Sequence, residues 1–173
     1  MIEELKENPE RGRPLYSKLV SAVIRGARKR KYYIRSLPTG HGKTRLGVAD
    51  ILYISATKIY DKNKGEWLHN PYPEPSLIIT TELEFEEIQT MALAFIAEVD
   101  EDDLLDNNLT EEEYKRIEIA ENVLRESPIY FEYLPAFDAD DIEHVIKKHV
   151  LNNEIQYCFF DYIHPNTKLL YSM

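Results

Sequence analysis

Apolar positions along this chain fall either at helical spacing or in short unbroken runs, and the two patterns alternate. Leu15, Leu19, Val20, Val23 and Ile24 follow Pro14 at helical spacing and predict a helix over 14–30. The aromatic and β-branched KYYIRS, residues 31–36, predicts a strand ended by Pro38 and Gly40. Leu46, Val48, Ile51, Leu52, Ile54 and Ile59 then form the apolar face of a helix from Lys43 to about residue 60. Residues 61–76, rich in Pro, Asn and charge, read as a loop or short hairpin.

LIITT, residues 77–81, is the run of a strand covered on both faces. A helix with an acidic first turn follows over 84–99. Another starts at Thr110, where a hydroxyl followed three residues later by Glu113 makes a capping pattern. A strand over 129–134, a helix opening at Asp138 and a strand over 155–160 complete the series. Alternation of this kind predicts a mostly parallel sheet between two layers of helices, and such sheets collect ligands at the carboxyl ends of their strands. Those ends hold the loop 37–44, Glu82 and Asp161.

Composition narrows the setting. With 173 residues, 43% of them hydrophobic, the chain can bury one core. No run of about 18 apolar residues is present, and the charged N-terminus is unlike a signal peptide. The single Cys158, in an apolar run, is expected to be packed and reduced, as in the cytoplasm. A net charge of -10 conceals an asymmetry: residues 1–45 hold 12 Lys/Arg against 4 Asp/Glu. Arg25, Arg28, Lys29, Arg30 and Lys31, with Arg35, are therefore candidates for a nucleic-acid or subunit contact, or a solvated helix end. Residues 1–30 are accordingly set apart as a basic helical segment or linker, and 31–173 as the domain proper.

The chemistry concentrates in the loop. Outer phosphates need backbone N–H donors, a flexible cation and a divalent metal. In Thr39-Gly40-His41-Gly42-Lys43-Thr44-Arg45 the glycines let the backbone curl, Lys43 reaches the phosphates and Thr44 offers a hydroxyl to Mg²⁺. Leu37 stands where such loops usually start with glycine. Asp161, ending a hydrophobic strand, is placed to support the metal together with Thr44. Glu82, ending another, is placed to orient and deprotonate a water. The five histidines show no zinc spacing; His144 and His149 are assigned to a surface helix, and Trp67 with Tyr72 to an apolar edge.

Taken together, PTGHGKT, TTELEFEEIQTMALA and FFDYIHP resemble the C-terminal ATPase domain of DnaB-type replicative helicases, over about 31–170. The resemblance implies a three-layer RecA-like P-loop NTPase fold, and in that family the leading glycine of the loop is commonly missing. It implies that Glu82 is the catalytic base, that Lys43 assists catalysis, that residues 39–45 bind nucleotide, and that Thr44 and Asp161 hold the metal. His164 stands where the family has glutamine, which puts the coupling role of that position in doubt. ATP and Mg²⁺ are the implied cofactors. Single-stranded DNA, a hexameric ring of copies, and a loader or primase are the implied partners. The family also places a strand, DNA-binding loops and an arginine finger after the metal-binding strand, whereas this chain ends twelve residues beyond Asp161. An incomplete domain is thus expected, poorly stable or self-associating, with weak or no ATP turnover alone. A non-motor ATP-binding switch and an inactive fragment are the competing readings.

Overall fold

The run Ser76–Thr80 is buried at every position, and the rest of the chain is arranged around it. A computed structural model describes residues 11–38 and 40–162. In chain order its elements are α1 (Lys18–Ile24), α2 (Lys43–Ser55), β1 (Lys58–Asp61), β2 (Glu66–His69), β3 (Ser76–Thr80), α3 (Phe85–Ala97), α4 (Glu101–Leu105), α5 (Glu111–Glu126), β4 (Ile129–Tyr133), α6 (Ala139–Asn153) and β5 (Tyr157–Asp161).

Strands β4, β3 and β5 lie side by side in that order, all parallel. Alternation along β3 decides which residue meets which layer. Ile78 packs with Val48, Leu52, Ala92, Ile96 and Val123 of α2, α3 and α5. Leu77 and Ile79 face the other way, onto Ile155 and the α6 residues Val145 and Ile146. The result is the three-layer α/β arrangement with a parallel sheet that the sequence predicts. Among the described residues no helix is long and apolar enough to cross a membrane.

Local signals account for the boundaries. Thr110 caps α5 in a reciprocal box with Glu113, and Asp138 does the same for α6 with Asp141. The expected helix over 14–30 shrinks to α1, because Ser17 rather than Pro14 starts it, and Arg25 in a left-handed conformation stops it. Gly26 then turns the chain at φ +78°, so that Arg13 and Ala27 form an isolated bridge. Leu15 and Ala27 close this segment over Ile54 of α2.

Four further expectations are corrected. Residues 31–36 form no strand; Tyr32 and Ile34 are 77% and 79% exposed. Strand preference is realised only against a neighbour, and no described strand lies along the free edge of β5. The helix after the glycine loop ends at Ser55, and the residues beyond it pair as the antiparallel β1–β2 hairpin. Cys158 is exposed rather than packed, because it sits on that same edge strand. His149 is buried, not on the surface: its imidazole meets Glu132 at 2.9 Å and Asn153 at 2.8 Å. His144 is exposed, as expected.

Candidate functional site

Two strand ends and one helix start meet at a single point. Gly42 is the residue before α2, with φ +75°, and Gly40 has φ +76°. Both are conformations that other residues adopt at a cost of about 1 kcal/mol or more. Nothing stands within 4 Å of a Cβ built on either glycine, so the conformation rather than crowding requires glycine there.

The approach of α2 to β5 has a separate cause. A Cβ on Gly47 would lie 2.0 Å from the ring of Phe159. One turn of α2 can therefore press against β5 only because this residue has no side chain. Sequence reasoning passed over Gly47, since its partner is distant in the chain.

That contact brings the predicted residues together. The Lys43 ammonium lies 3.1 Å from Asp161 Oδ1, and the Thr44 hydroxyl donates to Asp161 Oδ2. Asp161 is itself 6% exposed and is register partner to Thr80 of β3. Just past the strand, the Thr81 N–H donates to the Asp161 carbonyl at 3.0 Å. Glu82 follows at once, exposed, and its Oε1 accepts from the Tyr162 hydroxyl at 2.8 Å. The Lys43 ammonium also sits 3.5 Å from the centre of the Tyr162 ring. The bond to Glu82 holds the Tyr162 phenol above its ordinary pKa, with the charges of Glu82 and Asp161 adding to the effect.

Other candidates are placed differently. Arg45 makes a two-pronged pair with Glu101 of α4, at 2.8 and 2.9 Å, a contact that also favours its charged form. Helix α4 gave no signal of its own in the sequence. His41 is exposed beside Gly42, at the rim of an apolar hollow of about 360 Å³ that Tyr16, Leu46 and Phe95 line. Of the basic residues, Lys29 reaches Glu74 at 2.6 Å, and Arg35 is paired with the buried Asp50 of α2. Arg30 and Lys31 are exposed. Thr39 and His164 lie outside the described residues.

Comparison with known proteins bears on the family and the fold. The family model described as DnaB-like helicase C terminal domain matches residues 16–168. The chain is 43% identical, over all 173 of its residues, to the SPbeta prophage-derived uncharacterized protein YorI of Bacillus subtilis (strain 168), and spans 34% of that protein's length. Among solved structures it is similar to a DnaB-like replicative helicase, described with its interactions with primase. The TM-score is 0.70 at 12% identity, over 93% of this chain and 36% of that one. It is also similar to the ATPase domain of G40P, with a TM-score of 0.68 at 14% identity, over 94% of this chain and 54% of that one. At such identities the two likenesses establish a common fold.

Proposed function

The chain belongs to the DnaB-like helicase C-terminal domain family, and on that footing we propose that it binds ATP with Mg²⁺ and hydrolyses it to drive a helicase along single-stranded DNA. The observation that carries this reading is the convergence of Lys43, Thr44 and Asp161, with Glu82 joined to them through Tyr162. Three distant stretches of sequence supply one cation, one hydroxyl and two carboxylates at the carboxyl ends of adjacent strands, where phosphoryl transfer needs them.

The donor set fits magnesium. Among the described residues no cluster of three His, Cys, Asp or Glu forms a cage. Thr44 and Asp161 offer two hard oxygens side by side, which suits an ion that keeps most of its water and takes the rest of its shell from phosphate. In this reading those two residues hold the ion. When bound, it neutralises charge on the outer phosphates.

The chain's own groups do the remainder. Backbone N–H groups from Gly40 to Thr44, at the positive end of α2, receive the phosphate oxygens. Lys43 leaves Asp161 to pair with the outer phosphates, and Glu82 orients a water and accepts its proton. Arg30 and Lys31 are available for a DNA or subunit contact. Self-association into a ring, a loader or primase partner and a cytoplasmic setting belong to the same proposal.

The test is ATP turnover by the protein, with and without single-stranded DNA. Stimulation by DNA, and loss of turnover in Glu82→Gln with retained ATP binding, are the expected results. Tight ATP binding that DNA leaves unchanged points instead to a nucleotide switch. Absence of ATP binding defeats the proposal.

A further inference from the structure

Tyr162 touches both ends of the site. Its hydroxyl donates to Glu82 Oε1 at 2.8 Å, and its ring carries the Lys43 ammonium at 3.5 Å. Among the described residues this phenol is the only hydrogen-bond partner of the Glu82 carboxylate. Glu82 is exposed and lies beyond the end of β3, so its side chain is otherwise free to rotate away. Tyr162, in contrast, directly follows Asp161, which is fixed in the β5 register and by the Thr81 bond.

We propose that Tyr162 is the positioning residue for Glu82, and that it links the aim of that carboxylate to the engagement of Lys43. The inference rests on the hydrolytic reading above. An ammonium over an aromatic face is held by the ring's quadrupole, and the same ring fixes where its hydroxyl points. An anion that draws Lys43 away changes what restrains the ring, and with it the donor that aims Glu82. The lysine that senses the phosphate and the carboxylate that serves the water are thus joined by one rigid side chain. Tyr162 itself touches neither water nor phosphate in this scheme.

The experiment uses Tyr162→Phe, Glu82→Gln and the double variant of the protein. Removing only the hydroxyl is expected to lower kcat about tenfold while the Kd for ATP stays within about threefold, because the loss falls on the chemical step. In the Glu82→Gln background, Tyr162→Phe is expected to cost less than about twofold further, since a residue acting through Glu82 has nothing left to aim. Unchanged kcat in Tyr162→Phe, or losses that multiply in the double variant, overturn the proposal.

A second measurement needs no turnover. With tyrosine labelled at the ring carbon bearing the hydroxyl, the Tyr162 resonance, identified by its absence in Tyr162→Phe, should move on addition of ATP and Mg²⁺. It should also sit at a different position in Glu82→Gln, which loses the charged acceptor of the phenol. A resonance indifferent to both changes refutes the link even if turnover is low. If Glu82→Gln hydrolyses ATP normally while the resonance responds as described, the role of Glu82 as base fails and the Tyr162 contact stands.

Discussion

Lys43 and Asp161, one at the start of α2 and the other at the end of β5, form an ion pair of 3.1 Å whose acid is almost fully buried. A buried carboxylate needs a cation or donors to offset its desolvation, and here Lys43 and Thr44 supply them. In the proposed function nucleotide binding redirects this lysine, so its removal acts twice. Lys43→Met is expected to weaken ATP binding by at least tenfold and to lower the stability of the nucleotide-free protein by about 1 to 2 kcal/mol, the lysine being partly exposed. Asp161→Asn leaves the Lys43 ammonium an amide oxygen to donate to and should destabilise less. Equilibrium denaturation and binding titrations of the two variants check the order; equal stability in Lys43→Met and wild type contradicts it.

Gly47 lets α2 lie against Phe159, and the site depends on that contact. Gly47→Ala places a methyl 2.0 Å from the Phe159 ring. Overpacking of this kind costs about 1 to 3 kcal/mol, against a gain of about 1 kcal/mol in helix propensity. The net expectation is destabilisation with weaker ATP binding, as Lys43 and Thr44 are pushed from Asp161. Trimming Phe159 to Leu in the same chain should restore part of both, which thermal melts and binding titrations can follow.

The parts of the fold that could be read from sequence are those decided by local pattern. The almost unbroken apolar and β-branched run 77–81 announces the buried strand, and Thr110 with Glu113 announces a helix start by capping chemistry. Asp161 and Glu82 could be singled out because each directly follows an apolar run in the sequence. What escaped depends on neighbours. Residues 31–36 have strand chemistry but no described strand beside them, and the exposed Cys158 shares the same open edge. Gly47 was passed over, since nothing near it in sequence points to Phe159. Helix α4, of five residues, is too short to show a period.

Glu132 offers a check on the pH dependence of the fold away from the site. Its carboxyl is held below its usual value of 4.5 by hydrogen bonds from Lys148 and His149, with their charges adding to the effect. A depressed folded value means that this stabilisation is complete above pH 4.5 and is lost as pH falls through the lower folded value. Glu132→Gln should therefore lower Tm near neutral pH, and the gap from wild type should close in acid. Thermal melts from pH 7 to pH 3 test this, and a gap that persists undiminished at pH 3 contradicts it.

Arg45 separates what the loop motif implies from what the structure places. A guanidinium directly after Thr44 could reach a phosphate, yet both its prongs engage Glu101. The pair is largely exposed on the arginine side, so its coupling should be below about 1 kcal/mol. If Glu101 only anchors α4, Arg45→Ala and Glu101→Ala should each lower stability slightly and leave ATP affinity within about twofold. If Glu101 instead restrains an arginine that swings to nucleotide, the two variants diverge: Arg45→Ala weakens ATP binding by tenfold or more, while Glu101→Ala preserves or tightens it. The geometry of two well-formed bonds favours the anchoring outcome, and ATP titration of the two single variants decides between them.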